Sequence, residues 1–251
     1  EVSEGEETPL YAACFYGKWE VVRLLLEAGA DVNNNSNDSK KTPLYAACFQ
    51  NRVYIVRLLL KAGADVNNNS NKYGKTPLFI ACEKGHVNVV NVLLKLTDIN
   101  ANKPAATIST QRQRVTPLYV ACYNGNFDVV EVLLKDERIN FFEAVLYMCR
   151  HVDKVDRVIA CLEAGPGINR ADAFGRTPLH YACEIGCINV VQALLKLTDI
   201  NANEPDKKGR TPLFMACERG HLETVKALLE CNIDINLSNN GRQTPLYIAC
   251  Y

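Results

Sequence analysis

TPLYAACFYGKWEVVRLLLEAGADVN, residues 8–33, decides the fold, because nearly the same string returns as TPLYAACFQNRVYIVRLLLKAGADVN at 42–67. Its opening Thr-Pro-Leu begins at Thr8, Thr42, Thr76, Thr116, Thr177, Thr211 and Thr244, mostly in steps of 33 or 34 residues. A fixed period of that length marks stacked supersecondary units, each burying its apolar face against its neighbours. Such a stack has no central pocket. It offers a long, shallow surface suited to gripping another macromolecule.

Within one unit the local chemistry is explicit. Thr8 reads as an N-cap, with Pro9 at the first helical position, where its missing N–H is no loss. Leu10, Ala13 and Cys14 share one face, and Gly17 supplies a stop. A second helix follows, whose Val21, Val22, Leu24, Leu25 and Leu26 form a stripe wide enough to be buried on both sides. Gly29 ends it and Asp31-Val32-Asn33 opens an extended loop. Later loops close with Tyr73-Gly74-Lys75, Phe174-Gly175-Arg176 or Lys208-Gly209-Arg210, a glycine turn before the next Thr.

Helix, turn, helix and protruding hairpin together resemble the ankyrin repeat. Its T-P-L-H-x-A signature stands complete at Thr177-Pro178-Leu179-His180-Tyr181-Ala182, and Tyr11, Tyr45, Phe79, Tyr119, Phe214 and Tyr247 replace the His elsewhere. Gly85-His86 with Val89-Val90-Asn91-Val92-Leu93-Leu94 matches further runs of the family. The resemblance implies an all-α solenoid of helix-turn-helix units joined by β-hairpin loops. We expect one domain over 1–251, with units starting near 8, 42, 76, 116, 144, 177, 211 and 244. The last is truncated at Tyr251, so the chain reads as an excised piece.

Two departures break the rhythm. Extra loop residues, from about Pro104 to Gln113, precede Thr116. The fifth unit is degenerate: Ala144-Val145-Leu146 stands for Thr-Pro-Leu, Asp153 for the helix-ending Gly, and Phe141-Phe142 where a turn belongs. It reads either as drift in an internal unit or as a bend between two blocks.

Lys plus Arg equal Asp plus Glu at 28 each, giving no overall pull toward nucleic acid or anionic lipid. No apolar run is long enough to span a membrane. Of eleven cysteines, Cys14, Cys48, Cys82, Cys122, Cys183, Cys217 and Cys250 each lie six residues after a Thr, which makes them a repeated slot for a small buried side chain. Cys149, Cys161, Cys187 and Cys231 show no C-x-x-C pairing. Free thiols in this number point to a reducing compartment and a cytoplasmic or nuclear location.

Catalytic and cofactor chemistry find no support in the motifs. His86, His180 and His221 occupy slots that the resemblance assigns to hydrogen bonds between adjacent turns, and His151 has no partner at recognisable spacing. Gly74-Lys75-Thr76 mimics a phosphate loop, but the required first glycine is Asn69 and Pro77 follows. Cys183 and Cys187 straddle a helix end, which disfavours a metal. We therefore expect no enzyme, no cofactor and no metal.

The surface carries more. The resemblance implies contact through hairpin tips and the exposed face of the first helix, on the concave side. Candidate partner-binding residues are Phe15, Tyr16, Phe49, Tyr73, Lys75, Glu83, Lys84, Tyr123, Phe174, Arg176, Ile185 and Arg210. The aromatic ones read as binding anchors or as rings leaning on neighbouring hairpins. Basic tips, among them Lys40, Lys72, Lys75, Arg112, Arg176 and Arg210, read as a stripe steering an acidic partner or as a solvated edge. The leading expectation is a monomeric, non-catalytic module that holds a partner protein or peptide and no nucleic acid. The alternative is a targeting arm of a larger enzyme, channel or effector.

Overall fold

The computed structural model describes residues 7–35, 41–68, 73–106, 114–140 and 168–251, with positions 145, 156 and 159 between them. It comprises two compact units, Glu1–Ile139 and Asn140–Tyr251. The first holds four helical pairs: α1 (Pro9–Phe15) with α2 (Trp19–Glu27), α3 (Pro43–Phe49) with α4 (Val53–Lys61), α5 (Pro77–Lys84) with α6 (Val87–Leu94), and α7 (Pro117–Tyr123) with α8 (Phe127–Leu134). The second holds α9 (Pro178–Ile185) with α10 (Ile188–Leu195), α11 (Pro212–Glu218) with α12 (Leu222–Leu229), and a short α13 (Pro245–Ala249). Within each unit first helices pack on first helices and second on second. The fifth sequence unit lies outside the described residues apart from Val145, Asp156, Ile159 and its closing loop from Ile168 to Arg176.

The start of each pair follows from Thr-Pro. In six of them the Thr Oγ1 accepts the N–H three residues on, at 3.1–3.3 Å, and Pro fills the first helical turn. In the remaining one His180 Nδ1 accepts from both Thr177 N–H (3.1 Å) and Thr177 Oγ1 (2.9 Å). His180 Nε2 lies 3.0 Å from the Arg210 carbonyl, which can only accept, so Nε2 carries the proton. That imidazole is fully buried, and burial holds its pKa below the ordinary value, ahead of the opposing pull of Arg210 O.

The core is a column of repeated positions. Leu10, Leu44, Leu78, Leu118, Leu179 and Leu213 are buried, as are Cys14, Cys48, Cys82, Cys122 and Cys183. Cys217 is half-buried and Cys250, on the last described helix, is exposed. The second-helix stripe is buried on both sides in α4, through Ile55, Val56 and Leu59, but not in α2. There Val21 and Leu24 are exposed, because no further helical pair covers that flank of α2 among the described residues.

Polar side chains bind one pair to the next. Asn33 Oδ1 accepts Asp65 N–H at 2.8 Å, and Asn67 Oδ1 accepts Asn100 N–H at 2.7 Å. Asn203 does the same for Asp234 in the second unit. At the helix ends, His86 Nε2 reaches the Phe49 carbonyl and His221 Nε2 the Glu184 carbonyl, both at 3.0 Å. Asn126 takes the same place in the fourth pair, donating to the Cys82 carbonyl at 2.9 Å. These bonds satisfy last-turn carbonyls that a helix cannot satisfy itself.

The described loops between pairs carry less strand pairing than full β-hairpins would. Among the described residues a ladder occurs only between β1 (Ala105–Ala106) and β2 (Arg114–Val115). Elsewhere the described loops close through a backbone bond and a side-chain oxygen together: Asp172 N–H donates to the Arg176 carbonyl at 3.0 Å and Asp206 N–H to the Arg210 carbonyl at 2.9 Å, while Asp172 Oδ1 accepts the N–H groups of Phe174 and Arg176, and Asp206 Oδ1 those of Lys208 and Arg210. Successive tips then join by one backbone bond, Lys207 N–H to the Phe174 carbonyl at 2.9 Å. Gly175 is required there: its φ is 79°, and a Cβ would lie 2.8 Å from Lys207 N. The tips at 36–40, 69–72 and 107–113, with Lys40, Lys72 and Arg112, lie outside the described residues.

Candidate interaction surface

The site grows from the C-terminal ends of the first helices. Because α1 and α3 stack in register, residues seven positions after Thr8 and Thr42 meet: Phe15 and Phe49 lie with centroids 6.3 Å apart, their planes inclined by 18°. Each also stacks on the buried tyrosine of its own helix, Phe15 on Tyr11 at 6.2 Å and Phe49 on Tyr45 at 6.3 Å. Tyr16, 64% exposed, meets Phe15 edge-on at 5.3 Å. Lys84, at the end of α5, places Nζ 4.7 Å from the Phe49 centroid. The result is a half-buried aromatic strip with a cation above one end. Tyr123, at the end of α7, is 44% exposed on the same register position.

That seventh position is filled in two ways. Where it is aromatic (Phe15, Phe49, Tyr123, Tyr251), the residue before Thr varies between Glu7, Lys41, Val115 and Gln243. Where it is Glu (Glu83, Glu184, Glu218), the residue before Thr is always basic (Lys75, Arg176, Arg210). The structure explains the coupling. Lys75 Nζ donates to both Glu83 oxygens at 2.8 and 2.7 Å, its side chain 11% exposed, and also lies 5.7 Å from the Phe79 ring. Arg176 donates to Glu184 at 2.9 Å, while Arg210 holds Asp206 at 2.7 Å and lies 3.6 Å from Glu218.

Lys75, Arg176 and Arg210 are thus already committed to carboxylates of their own chain, and Glu83 with them. A free cationic stripe built from these three bases is a reading the geometry corrects: the eight-residue reach from loop to helix end lets each fold down onto a Glu. Among the other candidates, Phe174 stands 67% exposed at a loop tip, Tyr73 is half-buried beside Lys75, and Ile185 is half-buried at the end of α9. Arg219 extends the second unit's charge network, donating to Glu184 at 2.9 Å.

Sequence reasoning missed Trp19 and Tyr54, which meet edge-on at 5.4 Å on α2 and α4, both exposed. They are large rings at the solvent side of second helices, a signal visible once the register of α2 and α4 is drawn. It also missed that Cys187 is disulfide-bonded. Cys187 lies at the second-helix start, outside the buried slot, so the slot argument for a free thiol does not reach it.

Burial keeps the slot thiols protonated. Burial pushes the Cys14 thiol up to about 12 and raises Cys48, Cys82 and Cys183 further. Tyr11 is pushed up to about 12 by burial and by Glu7, Tyr45 and Tyr16. Asp206 is raised by burial, but hydrogen bonds from the Arg210 side chain and from Arg210 and Lys208 N–H outweigh this and leave it below the usual range. Among the described residues no group of three or more His, Cys, Asp or Glu side chains could hold a metal, and no helix is long and apolar enough to cross a membrane.

Comparison with known proteins follows the same lines. The family model for ankyrin repeats in sets of three matches residues 1–70, 66–144, 108–204, 141–239 and 198–251. A 42-residue stretch is 43% identical to the acyl-CoA-binding domain-containing protein 1 of Arabidopsis thaliana, covering 17% of this chain and only 12% of that protein. The human ASB11 ankyrin repeat domain is 24% identical, covering 97% of this chain and 92% of its own, with a TM-score of 0.46. The ankyrin repeat domain of Bcl-3 is 26% identical over 98% of this chain and 95% of its own, with a TM-score of 0.47.

Proposed function

The chain belongs to the ankyrin-repeat family, and we propose that it is a non-catalytic module holding a partner protein or peptide along the first-helix ends of its N-terminal unit. Ankyrin repeats are in general protein–protein interaction modules. The observation that carries the narrower reading is the Phe15–Phe49 stack, met edge-on by exposed Tyr16, with exposed Tyr123 at the same register position two helical pairs on. Rings gathered at one surface and pre-positioned by stacking lose little entropy on contact, which is what makes aromatic residues frequent anchors. In the second unit the same register holds Glu184, bonded to Arg176, and Glu218, 3.6 Å from Arg210, in place of aromatic rings. This contrast supports a partner on the N-terminal unit, on the flank the resemblance implies is concave.

The test is capture from host extract with wild type and with Phe15→Ala, Tyr16→Ala and Phe49→Ala. Loss of one partner from all three, with cooperative unfolding retained, supports the assignment. Equal capture by all four proteins refutes it.

A further inference from the structure

We infer that the aromatic strip of the N-terminal unit takes an acidic segment: an extended stretch of partner chain that lays a large apolar side chain beside Phe15 and Phe49 and a carboxylate against Lys84. The inference rests on the reading of that strip as the binding face, and adds the chemistry of its occupant. Exposed ring faces would by default attract a cation. Here that face is taken, because Lys84 Nζ sits 4.7 Å from the Phe49 centroid. A second cation would meet a like charge at close range, whereas a carboxylate would meet an opposite one.

The neighbouring charges agree. Lys84 and Arg52 are exposed, and neither enters an ion pair among the described residues. Arg52 lies over the turn that follows Tyr16: a Cβ on Gly17 would come within 2.8 Å of its Nε. The nearest carboxylate in sequence to Lys84 is Glu83, and both its oxygens are occupied by Lys75. Glu7 precedes the N-cap of α1, a helix of seven residues, and so lies roughly 10 Å from the Phe15 end.

Helix C-termini would ordinarily repel an anion. At these ends the carbonyls are partly masked, Phe49 O by His86 Nε2 and Cys82 O by Asn126 Nδ2. Four features therefore select the same ligand: a flat apolar floor, a cation above it, a second cation at its side, and, among the described residues, a neighbouring Glu83 that is neutralised and a Glu7 at the far end of α1.

The probe is a random dodecapeptide library displayed on phage, panned against the immobilised chain and against its Phe49→Ala and Lys84→Gln variants. The enriched peptides should pair an aromatic or Leu residue with Asp or Glu within two positions. Synthetic versions should lose measurable binding on Phe49→Ala and about fivefold on Lys84→Gln, the upper range for one exposed ion pair. Replacing their Asp and Glu by Asn and Gln should weaken wild type and leave Lys84→Gln little changed. Peptides that need Phe49 but show no acid preference, or a basic one, overturn the inference and leave the face assignment standing. Peptides indifferent to both residues, or a library that yields none, overturn both.

Discussion

Exchanging one unit's solution for another's tests the loop-to-helix coupling directly. Lys75 and Glu83 can be replaced by the pair found in the fourth unit, Val115 and Tyr123, giving Lys75→Val with Glu83→Tyr. Lys75→Val alone leaves Glu83, a side chain 21% exposed, without its cation, and removes an ammonium 5.7 Å from the Phe79 ring. An exposed pair is worth about 0.2–1 kcal/mol, and breaking a buried one costs about 3–5 kcal/mol. At this intermediate burial, with a cation–π share of about 0.5–1 kcal/mol, about 2 kcal/mol is expected. Glu83→Tyr alone recreates the Lys41 and Phe49 pairing of the second unit, and should cost about 1 kcal/mol by loss of the salt bridge. The double variant should fall within about 1 kcal/mol of wild type, a coupling of about 2 kcal/mol. Urea titration followed by helical circular dichroism reads this as a midpoint shift of about 1 M for Lys75→Val, largely recovered in the double variant. Simple addition of the two single losses, or a Lys75→Val indistinguishable from wild type, would refute the coupling.

Three further outcomes follow from the same packing. Leu59→Ala, at a fully buried position of α4, should cost about 2–5 kcal/mol, checked by the same titration. His180 is held neutral in the folded state, so the unfolded chain binds more protons below about pH 6.5 and stability falls as pH drops through that value. His180→Phe, with the residue type of Phe79 and Phe214, should flatten the loss between pH 7 and 5, and an unchanged slope would count against it. Thiol labelling of the native protein should modify Cys250 and Cys231 quickly but Cys48, Cys82 and Cys183 only on unfolding, with peptide mapping by mass spectrometry as the check.

Much of this was legible because it is local. Thr-Pro starts, glycine stops and the Cys slot act within one helical turn or repeat once per unit, so pattern alone exposes them. The bonds from His86 and His221 to neighbouring carbonyls followed from their slots. What escaped needed the register between units. The stacking of Phe15 on Phe49 joins residues 34 apart, and only the helix ends show that they meet. The Lys75–Glu83 link was visible as a repeated pairing across three units but reads as surface charge until the loop is seen folding back. Of the β-hairpin expectation, the described residues carry a ladder at β1 and β2; at Asp172 and Asp206 the loop closes with a backbone bond to Arg176 and Arg210 beside the side-chain oxygen, without further strand pairing.

The most direct measurement is an alanine scan of affinity for one selected peptide, read by fluorescence anisotropy across both units. Phe15→Ala, Tyr16→Ala, Phe49→Ala and Tyr123→Ala should carry the losses, about 1–4 kcal/mol for the strongest, while Phe174→Ala and Ile185→Ala bind as wild type does. Losses spread evenly, or concentrated at Phe174 and Ile185, would contradict a binding face built from the first-helix ends of the N-terminal unit.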